Sequence, residues 1–188
     1  NEIIEAKCTE VMTHPLMDHG CGWLRARNMD AIVEFAQGVD AVAIGPGMGR
    51  VQQTEQLIRD LVTTLEKPVV IDADGINAFE GAADLLAEAA GEVIITPHPG
   101  ELSRLIGASI SDIQADRIGT TQATAADLGV TVLLKGAGTV VADPDGETWI
   151  NTTGNSGMAS GGMGDILTGV IVSLLGQGMS PVHAGTCG

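Results

Sequence analysis

Between Gly154 and Leu175 the chain reads GNSGMASGGMGDILTGVIVSLL, a glycine-rich loop that runs directly into an apolar helix with an aspartate at the junction. Glycines at 154, 157, 161, 162 and 164 let the backbone take left-handed conformations and approach a ligand closely. The first amides of the helix that follows have no internal acceptor, so loop and helix together suit an anion such as phosphate. Asp165 sits where the helix dipole tolerates its charge, and where it could take a proton from a hydroxyl facing that phosphate. The plainer alternative makes Asp165 an N-cap and the glycines a flexible loop.

Four other short runs carry chemistry. Gly45-Pro46-Gly47-Met48-Gly49 is a turn without bulk, open to a ligand or to another backbone. Asp72, Asp74 and Asn77 place two carboxylates and an amide within six residues; they could hold magnesium or a ligand hydroxyl, or cap a short helix. In Pro97-His98-Pro99-Gly100-Glu101-Leu102-Ser103-Arg104 the prolines fix the backbone before a helix, so that His98 and Glu101 are presented. Lys135 opens the turn Gly136-Ala137-Gly138-Thr139, where a cation could meet a nucleotide phosphate; the alternative is a snorkelling surface lysine.

Each run follows a short, almost uninterrupted apolar segment: DAVAI (40–44), PVVID (68–72), EVIIT (92–96) and TVLLK (131–135). Helical stretches separate them, at 51–66, 82–90 and Ser111 to Leu128. That rhythm predicts an α/β fold with a mostly parallel sheet covered by helices on both faces. In such a sheet ligands lie beyond the carboxyl ends of the strands, where all these runs fall. TVVAD (139–143) and ETWIN (147–151) flank Pro144-Asp145-Gly146 and predict an antiparallel hairpin at one edge. TEVMTH (9–14) is expected to be a strand, and a further helix to begin at Ser180-Pro181.

Composition narrows the class. The 188 residues fit one domain, and 44% hydrophobic residues with a mean hydropathy of +0.24 suffice for a core. With two Phe, two Trp and no Tyr, that core must be aliphatic. A formal charge of −15 argues against nucleic acid or an anionic membrane as partner, so any anionic ligand must be held by local dipoles and a few cations. Three cysteines, Cys8, Cys21 and Cys187, fit a reducing compartment, which points to the cytoplasm. His14, His19 and Cys21 lack a fourth donor and are assigned no metal. There is no G-x-x-x-x-G-K-[ST], and 45–49 is G-x-G-x-G rather than the dinucleotide fingerprint.

With GPGMG, DADGIN, TPHPGELSRL, KGAGT and GNSGMASGGMGDILTG in this order, the chain from about Asp40 onward resembles the ADP/ATP-dependent NAD(P)H-hydrate dehydratases of the ribokinase-like superfamily. The resemblance implies one ribokinase-like domain over 1–188, with the family's first strand, glycine-rich turn and alanine-rich helix falling before Asn1 and the end of its last helix after Gly188. It implies repair of damaged nicotinamide cofactors, in which the hydrated ring of NADH or NADPH is dehydrated at the expense of ADP, or ATP, with Mg2+. It implies that Asp165 is catalytic and that Gly47, Gly49, His98, Pro99, Gly100, Glu101, Arg104 and Asp165 contact the substrate. It implies that Lys135, Gly136, Ala137, Gly138 and Thr139 hold the nucleotide together with Asn155, Gly157, Met158, Ala159, Gly161, Gly162 and Gly164. Metal ligands are not identified. It further implies a homo-oligomer such as a homotetramer, and an NAD(P)H-hydrate epimerase fused to the chain or acting with it. Ser156 and Met163 stand where the family commonly has proline or glutamate and threonine. A ribokinase-like kinase for a vitamin precursor, a hydroxyethylthiazole or hydroxymethylpyrimidine, uses the same base and nucleotide site and is the nearest competing expectation; a non-catalytic nucleotide-binding fragment is another.

Overall fold

Apolar runs of three to five residues bounded by glycine and proline form strands because both of their faces can be buried. The computed structural model, which describes residues 2–188, bears this out. In chain order the elements are α1 (Glu2–Lys7), α2 (Met29–Ala36), β1 (Val42–Ile44), α3 (Gln52–Thr64), β2 (Val69–Ile71), α4 (Asp74–Asn77), β3 (Val93–Ile95) and α5 (Pro99–Ile106). They continue with α6 (Ile110–Ala115), α7 (Arg117–Leu128), β4 (Thr131–Leu134), β5 (Val140–Ala142), β6 (Thr148–Ile150), α8 (Met163–Gly176) and α9 (Pro181–Cys187). The described strands build one six-stranded sheet in the order β1-β2-β3-β4-β5-β6. β1 to β4 are parallel, and β5 and β6 add the antiparallel hairpin at the edge.

Strand pleating divides the core in two. Val69, Ile71, Val93, Ile95, Val132 and Leu134 point to one face and pack with Leu57, Ile58 and Leu61 of α3, Leu102 of α5, Ile113 of α6 and Ala125 of α7. Val70, Ile94, Leu133 and Val141 point to the other, under Ile171 and Leu175 of α8 and Val182 and Ala184 of α9. Both layers are aliphatic apart from Phe79, which is fully buried. α8 therefore lies on the sheet face opposite α3, α5 and α7, with its N-terminus at the same end of the sheet as the motifs that follow β1 to β4.

Local chemistry redraws several boundaries. The helix expected over 111–128 is two, because Asp116 leaves helical geometry (φ −140°, ψ 74°) and caps α7 with its carboxylate, which accepts from Gly119 N at 2.8 Å. The stretch 82–90 is a short 3-10 helix, Ala83–Glu88, rather than an α-helix. TEVMTH forms no strand; residues 11–14 are irregular, and His14 instead stacks on Phe35 of α2, with ring centroids 4.7 Å apart. A strand needs a ladder partner, and β1, the sheet edge nearest in sequence, pairs only with β2. α2, which no sequence period signalled, packs Ile32, Val33 and Ala36 against the first core layer. Among the described residues no helix is long and apolar enough to cross a membrane, and Cys8, Cys21 and Cys187 are free thiols.

Candidate active site

The four parallel strands deliver their motifs to one end of the sheet, and cross-strand bonds assemble them. Gly45 leaves β1 with φ +131° in a place where a side chain is impossible: a Cβ there would fall on the Asp72 carbonyl oxygen and 2.7 Å from Gly75 N. Of the two sequence readings of GPGMG, close approach of another backbone therefore accounts for Gly45. Gly47 and Gly49 also have positive φ but face open space. The Asp74 carboxylate holds that turn by accepting from Gly49 N at 2.8 Å, and Asn77 Oδ1 accepts from Arg104 Nε at 2.9 Å. Neither Asp72 nor Asp74 caps α4, whose N-cap is Ala73.

After β3, Pro99 starts α5 at a position that needs no amide hydrogen, and His98 and Glu101 close a reciprocal cap. His98 Nδ1 accepts from Gly100 N (2.9 Å) and Glu101 N (3.3 Å), while Glu101 Oε2 accepts from His98 N (2.8 Å). An Nδ1 that accepts two amides carries no proton, so neutral His98 holds its hydrogen on Nε2. That edge is exposed and 3.6 Å from Glu101 Oε1.

Lys135 joins these pieces. Its main-chain nitrogen donates to Pro97 O (2.8 Å), and its Nζ lies 2.7 Å from Asp72 Oδ1 and 3.8 Å from Glu101 Oε2. Asp72 is 1% exposed, so its charge requires such pairing, and its second oxygen accepts from Thr168 Oγ1 of α8 at 2.9 Å. The turn after Lys135 is held from beneath by Arg117, whose Nη2 donates to Leu134 O (2.9 Å) and reaches Lys135 O and Gly138 O, both at 3.4 Å. Loss of solvent on burial lowers the Arg117 pKa without discharging the guanidinium. A cavity of about 280 Å3 opens beside the turn, lined by Arg117, Ile118, Ala137, Gly138, Val140 and Ile150.

The N-cap of α8 is Gly162, which is in the left-handed conformation (φ 88°) and offers no side-chain cap. Asp165 is the third helical residue rather than an N-cap, and its exposed carboxylate makes no hydrogen bond or ion pair among the described residues. The amides of Gly164 and Asp165 likewise find no backbone acceptor there, so free donors and a carboxylate stand together at the helix end. Gly164 packs against Asp72 and Lys135: a Cβ would lie 3.6 Å from Asp72 Oδ2 and from Lys135 Nζ. The arm before it is less engaged. Asn155 Oδ1 accepts from Gly157 N (2.9 Å), but Gly157, Met158, Ala159 and Gly161 are exposed and make no hydrogen bond to the 135–139 turn among the described residues. Asn151 N, which donates to Thr139 O at 2.8 Å, is where the arm is moored.

Sequence reasoning missed Thr168 and Arg117. A threonine one turn after Asp165 in an otherwise apolar helix was the available signal for the first. Arg117 had none, because its carbonyl partners are supplied by a turn 17 to 21 residues away.

The fold is ribokinase-like, shared with a crystal structure of the ADP/ATP-dependent NAD(P)H-hydrate dehydratase from Bacillus subtilis co-crystallised with ATP/Mg2+ and soaked with CoA. That similarity has a TM-score of 0.68 at 36% identity, covering 84% of this chain and 58% of the other. A family model described as NAD(P)H-hydrate dehydratase matches residues 1–188, and the chain belongs to that family. It is 40% identical over 154 residues to the ADP-dependent (S)-NAD(P)H-hydrate dehydratase of Neisseria meningitidis, which covers 80% of this chain and 52% of that protein. It is 42% identical over 186 residues to the bifunctional NAD(P)H-hydrate repair enzyme Nnr of Moorella thermoacetica, covering 99% of this chain and 35% of that one. The chain thus spans about half the length of the first relative and about a third of the second.

Proposed function

We propose that this chain carries the dehydratase centre of an ADP-dependent NAD(P)H-hydrate repair enzyme. The observation that carries the reading is the exposed Asp165, unpaired among the described residues, beside the amides at the start of α8 that find no acceptor there, ringed by the motifs that end β1, β2, β3 and β4. Family membership supports the same reaction.

In this reading the substrate's nicotinamide ring lies between Gly47, Gly49 and the His98–Arg104 segment. His98 presents its Nε2 hydrogen, and Pro99, Gly100, Glu101 and Arg104 shape that wall. The nucleotide lies along Lys135, Gly136, Ala137, Gly138 and Thr139, and its phosphates meet the Asn155–Gly164 arm. Asp165 takes the proton of the ring hydroxyl as that oxygen attacks the terminal phosphorus of ADP; the bridging P–O bond breaks and AMP leaves. The amides at the head of α8 stabilise charge on the transferred group. The ring nitrogen lone pair then expels phosphate by breaking the C–O bond, and loss of a proton from the neighbouring carbon restores the dihydronicotinamide. Phosphate leaves far more readily than hydroxide, which is what the nucleotide contributes.

Magnesium bound to the nucleotide phosphates would add neutralising charge at this centre. Among the described residues no group of three or more His, Cys, Asp and Glu is placed to hold a metal, and the metal ligands stay unassigned. The bifunctional relative supports a companion activity in the same repair, which we take to be an epimerase, and a homo-oligomer is proposed as the assembled form.

The test is absorbance near 340 nm after mixing the protein with hydrated NADH and magnesium, with ADP, with ATP or with no nucleotide. Recovery of the dihydronicotinamide band only with nucleotide is expected, fastest with ADP. No recovery despite ADP binding would favour the vitamin-precursor kinase. A second expectation follows from Arg117. Without its guanidinium the 135–139 turn loses the donor to three carbonyls, so Arg117→Met should weaken ADP about tenfold, roughly 1.4 kcal/mol, by calorimetry. An unchanged affinity would remove the turn from the nucleotide site.

A further inference from the structure

The Asp165 carboxylate makes no hydrogen bond or ion pair among the described residues, and the loop before it is glycine-rich and exposed, so something else must set its position. The residues that do so are its neighbours on α8. Gly164 rests against the Asp72–Lys135 pair, and Thr168, one turn on, donates its hydroxyl to Asp72 Oδ2. Thr63, Thr121, Thr124 and Thr186, also helical, return their hydroxyls to the carbonyl one turn back, while Thr54 of α3 reaches the Leu24 carbonyl; of these helical threonines only Thr168 donates to a carboxylate. Thr168 is diverted from that habit to a carboxylate 96 residues away in sequence. The apolar seating of α8 starts with the partly buried Leu167 and becomes complete only at the buried Ile171 and Leu175, so at the reactive turn the polar contact of Thr168 acts beside a single apolar one.

The carboxylate receiving this bond is almost wholly buried, and both of its oxygens are used: Lys135 takes one and Thr168 the other. The Lys135 ammonium is shared with Glu101 Oε2, the same oxygen that accepts from His98 N. One ammonium thus ties the end of β2, the head of α5, the end of β4 and the first turn of α8.

We infer that Asp72, Lys135 and Thr168 form a positioning device that fixes the first turn of α8 and with it Asp165. Lys135 acts there as counter-ion to Asp72 and Glu101 rather than as a ligand of phosphate. The consequence for catalysis rests on the proposed role of Asp165; the consequence for the order of the α8 head does not.

Thr168→Val removes the hydroxyl at constant shape, and Thr168→Ser keeps it. Hydrogen exchange of the bonded amides over 166–168, beginning with Ile166 N on Gly162 O, should accelerate on the order of tenfold in the valine variant and return close to wild type in the serine variant. Turnover of hydrated NADH should fall by about tenfold to a hundredfold in the valine variant, with KM and the ADP Kd nearly unchanged, and recover with serine. Unchanged exchange in Thr168→Val overturns the inference whatever the turnover. Loss of ADP affinity in proportion to kcat also overturns it, by making the group part of the nucleotide site. Faster exchange rescued by serine, in a wild-type protein that does not turn over hydrated NADH, upholds the device and removes the functional reading instead.

Discussion

Asp165→Asn is expected to bind ADP at least as tightly as the unmodified chain while its turnover of hydrated NADH falls by about 10²- to 10⁴-fold, the range associated with loss of a general base. The substitution keeps the shape of the side chain at the third residue of α8 and removes its ability to accept the proton. It also removes a negative charge beside the amides that face the phosphates, so nucleotide affinity moves upward if it moves. The cost to the fold is small, because the carboxylate is exposed and makes no bond among the described residues; the lost helix-dipole interaction amounts to about 0.3–1 kcal/mol. The 340 nm assay and calorimetry with ADP read the two effects separately. Retained turnover would remove Asp165 from the chemistry and leave the α8 head as an anion site only.

Gly45→Ala should destabilise the protein by more than about 3 kcal/mol or prevent folding, whereas Gly47→Ala, two residues on, should cost about 1–2 kcal/mol. The glycines look alike in GPGMG, and both have positive φ. A methyl at Gly45 would collide with the main chain of Asp72 and Gly75, and β1 and β2 could accept it only by separating at the end where the site is built. A methyl at Gly47 meets nothing within 4 Å, so only the left-handed backbone is penalised. Urea unfolding of both variants distinguishes the two costs. Equal, small losses would mean that the close approach at Gly45 is not what its glycine is for.

Much of this molecule was legible in one dimension because strands and phosphate loops are specified by neighbours. PVVID, EVIIT and TVLLK are buried on both faces and so need no alternation, which made the parallel sheet readable. Pro144-Asp145-Gly146 marked the edge hairpin, and the glycines before Asp165 marked a loop opening a helix. The prolines around His98 likewise announced a helix start, and the cap found there uses the histidine and glutamate they present. Boundaries set by competition between local bonds were less legible: Asp116 splits a helix that periodicity would continue, because its carboxylate accepts from the Gly119 amide and caps a new helix.

What the sequence determined by itself was the class of fold, the family and the order of motifs along the chain, since these depend on residue type and spacing. Only the tertiary structure decided what each polar group does. Asp72 could be read as a metal ligand or a cap until the sheet buried it opposite Lys135 and beneath Thr168. Lys135 stood in the sequence as a lone cation beside a glycine turn, and only the fold put two carboxylates around its ammonium. Arg117 carried no signal at all until α7 brought it under the 135–139 turn. A buried charge takes its role from whichever opposite charge or donor the fold places within about 3–4 Å, and sequence spacings of 63 and 96 residues say nothing about that distance.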